Sequence, residues 1–194
     1  MRRVIGPAIA ACLFAALAHA DSPGKQAGAP APENESQMAG QIRHNLLMLP
    51  YYTIFDDLEF RLKGGIVTLE GACPPEPPWD ITSDAENAVK KVGGVTKVID
   101  NIRVLPLSPV DWQIRRAEAR AIYGNSEIGP LYGYQALPSI HIIVDNGHVT
   151  LEGVVNNQFD DTLIRTLANE VPYVFSVTDD LTVLNKGTQQ KKGS

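Results

Sequence analysis

Apolar and polar residues alternate with a period of two along two stretches of the chain. Leu58, Phe60 and Leu62 are interleaved with Glu59, Arg61 and Lys63, and Ile140, Ile142 and Val144 form the matching series 82 residues later. Such alternation puts one row of side chains on each face of an extended chain, so both stretches read as half-buried β-strands. Gly64-Gly65 follows the first and Asn146-Gly147 the second, residue types that tolerate the positive φ of a two-residue hairpin turn. Val67 and Leu69, or Val149 and Leu151, then return as a second strand, closed by Gly71 or Gly153.

The period then changes to that of a helix. Ala85, Ala88, Val89 and Val92 fall at i, i+3, i+4 and i+7, as do Ile164, Leu167, Ala168 and Val171. Ser83 with Glu86 has the spacing of a capping box, and Asp160 or Asp161 is the expected cap of the second helix. A last strand is expected over 95–104 and again over 174–183. An amphipathic helix precedes each hairpin, over 38–49 and 111–123.

These elements are one unit written twice. Gly65-Ile66-Val67-Thr68-Leu69-Glu70-Gly71 recurs as Gly147-His148-Val149-Thr150-Leu151-Glu152-Gly153, with six identities in seven. Val98, Asp100, Ile102, Val104 and Leu105 correspond to Val177, Asp179, Leu181, Val183 and Leu184, and Gln41-Ile42-Arg43 to Gln113-Ile114-Arg115. The fold class is therefore α+β: two tandem α-β-β-α-β units, each a small three-stranded mixed sheet with two helices on one face. The hairpin is antiparallel, and the strand–helix–strand crossover sets its two strands parallel with a right-handed connection. About seventy residues per unit lies near the lower limit for a self-sufficient core, so the two units are expected to pack together.

The ends read differently. Arg2 and Arg3 precede an uncharged run that closes on Ala18-His19-Ala20, the layout of a secretory signal peptide cleaved after Ala20. The alternative is a lipoprotein, with Cys12 of Ile9-Ala10-Ala11-Cys12 lipidated. Residues 21–37 are poor in large apolar side chains and read as a flexible linker. The expected organisation is a signal peptide over 1–20, that linker, units over 38–106 and 107–186, and a polar tail over 187–194.

The 194-residue chain has 17 Lys plus Arg against 22 Asp plus Glu, a net charge of −5. Loss of Arg2 and Arg3 with the signal makes it −7. That balance opposes a nucleic-acid binder, which needs a positive field to capture phosphates. Cleavage leaves Cys73 as one cysteine, without an intramolecular disulfide; it reads as apolar filler at a strand end.

The doubled pattern of hydrophobic strand, G-x-V-T-L-x-G, helix and V-x-x-V-x-(N/D)-x-(I/L)-x-V resembles the BON domain. Val67-Thr68-Leu69-Glu70-Gly71 and Val149-Thr150-Leu151-Glu152-Gly153 carry the hairpin motif, and Gly94-Val95 the entry to the final strand. The structural-motif residues are then Gly65, Gly71, Gly94, Gly147 and Gly153. The second unit departs at Tyr173, which stands where Gly94 stands in the first. The resemblance implies a periplasmic, non-catalytic protein whose partner is an envelope phospholipid or an envelope protein, in envelope maintenance or stress response.

Candidate contact residues follow. Arg115, Arg116 and Arg120 cluster on the helix over 111–123 and could meet anionic headgroups, as the resemblance implies; the alternative is a solvated helix face. Tyr132 and Tyr134, with Leu131, lie in the insertion over 123–139 and offer aromatic contacts or fold back over the domain interface. The proline run ending in Trp79 docks a partner or spaces strand from helix. Glu70 and Glu152 read as cross-strand partners. His44, His141 and His148 read as surface side chains. No Cys or His pair and no carboxylate cluster falls at ligand spacing in the sequence, so no metal, cofactor or catalytic residue is expected.

Overall fold

The structure, a computed structural model, describes residues 32–75, 81–135 and 138–185. The expected signal peptide, most of the expected linker, Trp79 and the expected polar tail lie outside them.

The first unit begins with α1 (Pro32–Leu47), followed by the hairpin β1 (Asp57–Lys63) and β2 (Ile66–Cys73), α2 (Ile81–Lys90), β3 (Lys97–Asp100) and β4 (Arg103–Val104). The second contains α3 (Pro109–Tyr123), a single π-helical turn (Gly129–Gly133), β5 (Ile140–Asp145), β6 (His148–Asn157), α4 (Gln158–Asn169) and β7 (Ser176–Asn185). β1 pairs antiparallel with β2, and β3 and β4 run parallel to β2 on its other side. The second sheet has the order β5-β6-β7 with the same directions. The α+β class and the α-β-β-α-β order are those expected from the repeat.

Both hairpins turn on residues with positive φ: Gly64 at 58° and Gly65 at 80°, Asn146 at 52° and Gly147 at 80°. That sign at both turn positions gives the twist of a type I′ hairpin, and it fixes the same register in both units. Phe60 faces Leu69, and Ile142 faces Leu151.

Each core lies between its sheet and its two helices. Met38, Ile42 and Leu46 of α1, Val67 and Leu69 of β2, and Ala85 and Val89 of α2 fill the first. Ile114 and Ile122 of α3, Ile140, Ile142 and Val144 of β5, Val149, Leu151 and Val155 of β6, and Ile164 and Ala168 of α4 fill the second. Each fully buried Val, Leu, Ile or Met side chain among them contributes about 1.5–3 kcal/mol by leaving water.

Beyond shifts of two residues at α3, β3 and β7, local structure differs from expectation in four places. α1 starts at Pro32, six residues early: proline suits the first helical position, and Glu33, Glu35 and Gln37 are good helix formers. Glu35 there accepts a hydrogen bond from the hairpin N–H of Gly64 at 2.8 Å. α2 starts at Ile81, so Ser83 lies inside its first turn and is not its cap. α4 is capped by Asn157, whose side chain accepts from the N–H groups of Phe159 and Asp160, so Asp160 and Asp161 lie within the first turn. The last strand of the first unit is split at Asn101-Ile102, where Ile102 N–H turns to the Asp100 carboxylate at 2.9 Å.

The units touch through the loop ahead of β1 and through strands of both sheets. Ile54 and Phe55, ahead of β1, pack on the second core. Ala72, Leu105 and Ile143 form a small buried cluster across the joint, and Arg103 pairs with Asp145 at 3.0 Å.

Candidate functional site

The helix α3 is fixed at three points. Ser108 caps it, its Oγ accepting from Asp111 N–H at 3.1 Å. The buried Asp111 carboxylate accepts from the N–H groups of Asn146 and Gly147 at 3.0 and 2.9 Å, clasping the β5–β6 turn. Arg115 donates to the Val144 carbonyl at 2.6 Å and lies over the Trp112 ring at 5.2 Å.

Arg115 is therefore fully buried, at 0% exposure, and is withdrawn from the expected surface cluster. It ties α3 to the sheet. Glu118, one turn on, is also fully buried, and neither carboxyl oxygen has a hydrogen-bond partner among the described residues. Burial pushes its pKa up to about 8.

Arg116 and Arg120 face outward on the other side of α3. With Gln113, Ala117, Pro172 and Tyr173 they line an open groove of ≈ 320 Å³. No carboxylate among the described residues lies within ion-pair distance of either guanidinium. Like charges at i, i+4 cost an isolated helix roughly 0.2–0.5 kcal/mol. Tyr173, 73% exposed, sits at this groove with φ 70°. Its counterpart Gly94 has φ 94°, so both units keep the same left-handed turn, but only the second displays an aromatic ring there. Phe175, 77% exposed, follows two residues on and lies against His148 at 5.9 Å, outside the groove lining. Phe175 was not singled out in the sequence; its place two residues beyond the Gly-to-Tyr departure was the available signal.

The two expected tyrosines separate. Tyr132 is 2% exposed. Its hydroxyl donates to the Asp160 carboxylate at 2.5 Å and accepts from Asn156 N–H at 2.8 Å. It belongs to the core and is not a contact residue, because the π-turn directs it inward. Tyr134, two residues on, is 87% exposed, and Leu131 is also exposed.

The histidines divide as well. His44 and His148 are exposed, and His148 shares a hydrogen bond with Ser176 Oγ at 2.7 Å. His141 is not a free surface side chain: it is half-buried against Tyr52 at 5.5 Å. Burial lowers its pKa, against the raising effect of the Asp56 and Thr53 carbonyls.

Glu70 pairs across the strands with Arg61, as expected. Glu152 does something the sequence did not suggest. It converges with Asp57 and Glu59, one oxygen of each lying within 4.8 Å of the others, at the joint between the units. The Asp57 pKa is pushed up to about 7 by burial first, then by the charges of Glu152 and Glu59. Glu152 is raised by burial and by Glu59 and Asp180. Among the described residues these three carboxylates have the spacing that could hold a hard cation; Arg103 lines the same cleft and pairs with Asp145.

Comparison with known proteins bears on the second unit. Residues 132–185 match the BON domain family model, so the expected resemblance holds there, and the first unit repeats its topology and hairpin motif. No curated protein matches the chain. Among solved structures, the chain is similar to the C-terminal domain of CdsD, the structural protein of the type III secretion system of Chlamydia trachomatis. That likeness has 15% identity and a TM-score of 0.29, covering 62% of this chain and 52% of that one, so the chain spans about half its length. A further CdsD structure from the same organism gives 13% identity and a TM-score of 0.29, over 76% of this chain and 92% of that one. Likeness at this level carries neither partner nor activity across. No helix among the described residues is long and apolar enough to cross a membrane.

Proposed function

With residues 132–185 a BON domain, we propose that the chain is an exported, non-catalytic binding protein of the bacterial cell envelope. It contacts phospholipid through α3 and serves envelope maintenance or the osmotic stress response. The observation that carries this reading is the Arg116–Arg120 pair, exposed and without a carboxylate partner among the described residues, in a chain whose net charge is −5. Two guanidinium groups one turn apart suit phosphate oxygens, which they bind with directed, charge-assisted hydrogen bonds. Tyr173, which lines the groove with them, has the amphipathic ring that settles at a bilayer interface. Because the chain as a whole is acidic, attraction to an anionic leaflet is local to this face and falls with salt.

Co-sedimentation with vesicles tests it. The mature chain should pellet with vesicles rich in anionic lipid and not with neutral ones. Arg116→Glu combined with Arg120→Glu should abolish the difference, whereas equal recovery on both vesicle types removes the reading.

A second reading, a protein-interaction or tethering module regulating an envelope complex, is favoured by Tyr134 and Leu131 on the insertion. Crosslinking in the periplasm followed by mass spectrometry separates the two, since this reading requires a protein adduct on the insertion.

A further inference from the structure

Because the units repeat, each position in one has a counterpart in the other, and unequal burial of counterparts marks something that acts on one unit alone. Ile140, Ile142 and Val144 on β5 are all fully buried. Their counterparts Leu58, Phe60 and Leu62 on β1 are only partly buried. The helices agree: Arg115 is at 0% exposure, while its counterpart Arg43 is exposed.

The cause lies in the loop ahead of β1. Ile54 runs along the outer edge of β5, its carbonyl accepting from Ile142 N–H at 2.7 Å. Phe55 meets Trp112 of α3 edge-on at 6.0 Å. Together they close the trough between α3 and β5. The equivalent trough between α1 and β1 is an open groove of ≈ 560 Å³, lined by Ala39, Arg43, Leu46, Leu47, Phe60 and Leu62 among others. The shared register points Phe60 N–H away from β2 and toward the sheet's outer edge, as it does Ile142 N–H. Among the described residues Phe60 N–H has no partner.

We propose that this groove receives the insertion of a second copy of the chain, in the manner in which Ile54 and Phe55 seat on the second unit. The described residues of that insertion beyond α3, 124–135 and 138–139, stand after the leading helix and before the first strand of its unit. Ile54 and Phe55 stand between the corresponding two elements, α1 and β1, of theirs. It presents Leu131 at 49% and Tyr134 at 87% exposure. Applying the relation between first and second unit once more brings the insertion of one copy onto the α1–β1 groove of the next. A backbone hydrogen bond to Phe60 N–H would fix the register, and the apolar side chains would fill the trough, as in other additions to a sheet edge. Such a contact is head-to-tail and either closes into a ring or runs on as a filament. It is independent of the phospholipid reading, since Arg116 and Arg120 line a different groove.

Sedimentation velocity over rising concentration tests the proposal with two variants, each disabling one half of the contact. Ala39→Arg fills the groove, and Leu131→Ser with Tyr134→Ser strips the insertion. The substituted side chains are half-buried or exposed, and circular dichroism confirms that each variant keeps its fold. The unmodified chain should associate with concentration, and each variant alone should be monomeric. An equal mixture of the two should form dimers and nothing longer, because one intact groove and one intact insertion remain. A chain that stays monomeric throughout overturns the proposal, including when a foreign protein is found in the groove. So does assembly that survives both variants, or a mixture that fails to restore dimers.

Discussion

Ile142 N–H donates to the carbonyl of Ile54 across the joint between the two units, at 2.7 Å. The bond adds a piece of the first unit to the edge of the second unit's sheet and carries Phe55 onto Trp112 with it. The second core is therefore completed by a side chain that belongs to the first. Phe55→Ala should lower stability by about 2 kcal/mol, below the 3–5 typical of a fully buried phenylalanine because Phe55 is half-buried. Hydrogen exchange should show the loss in β5 and α3 and leave α1 and β2 protected. Uniform loss over both units would contradict this account of the joint.

Glu118 gives the second core a pH dependence. Its pKa is raised to about 8 by burial, so the folded state holds a proton that the unfolded state, titrating near its ordinary 4.5, has released. Stability is then full below about pH 4.5 and falls as pH rises toward 8, at about 1.4 kcal/mol per unit at most. Asp57 adds a slope of the same sign, ending near pH 7. Glu118→Gln should leave the Asp57 part and flatten thermal unfolding temperature between pH 7 and 8, where wild type still declines. An unchanged slope in that interval would place the titration elsewhere.

The hairpins and helices were legible because each rests on periods within a dozen residues, and the repeat because those local patterns recur in the same order, the hairpin 82 residues on. What the sequence concealed depends on distant partners. Asp111, Ile114, Arg115, Glu118 and Ile122 form the buried stripe of α3. Their spacing is that of a buried helical face, but three of the five are ionisable, so hydropathy assigned them to solvent. Arg115 is inside because Val144 offers a carbonyl 29 residues away. The carboxylates of Asp57, Glu59 and Glu152 meet only because the two units pack, which no spacing along the chain encodes.

Tyr132 and Tyr134 should respond unequally to loss of the hydroxyl. Tyr132→Phe leaves the Asp160 carboxylate with Asn157 at 3.0 Å but without its tyrosine donor, and strips Asn156 N–H of its acceptor. An unsatisfied buried polar group costs about 1–3 kcal/mol, and the drop should appear in urea unfolding. Tyr134→Phe, at a ring 87% exposed, should change stability by less than about 0.5 kcal/mol.

Tyr173 is the position where stability and display oppose each other. Its φ of 70° is the left-handed region that Gly94 occupies in the first unit, and an L side chain there costs roughly 1–2 kcal/mol. Glycine relieves that strain but loses up to about 1 kcal/mol to its greater freedom when unfolded, so Tyr173→Gly should stabilise the second unit by a few tenths to about 1 kcal/mol. The ring is 73% exposed, so little packing is lost in exchange. The same variant removes the aromatic wall of the groove beside Arg116 and Arg120. It should therefore raise the unfolding temperature while weakening recovery on anionic vesicles. A rise in both would mean that the tyrosine is not displayed for contact, and a fall in unfolding temperature would mean that the ring packs more than its exposure implies.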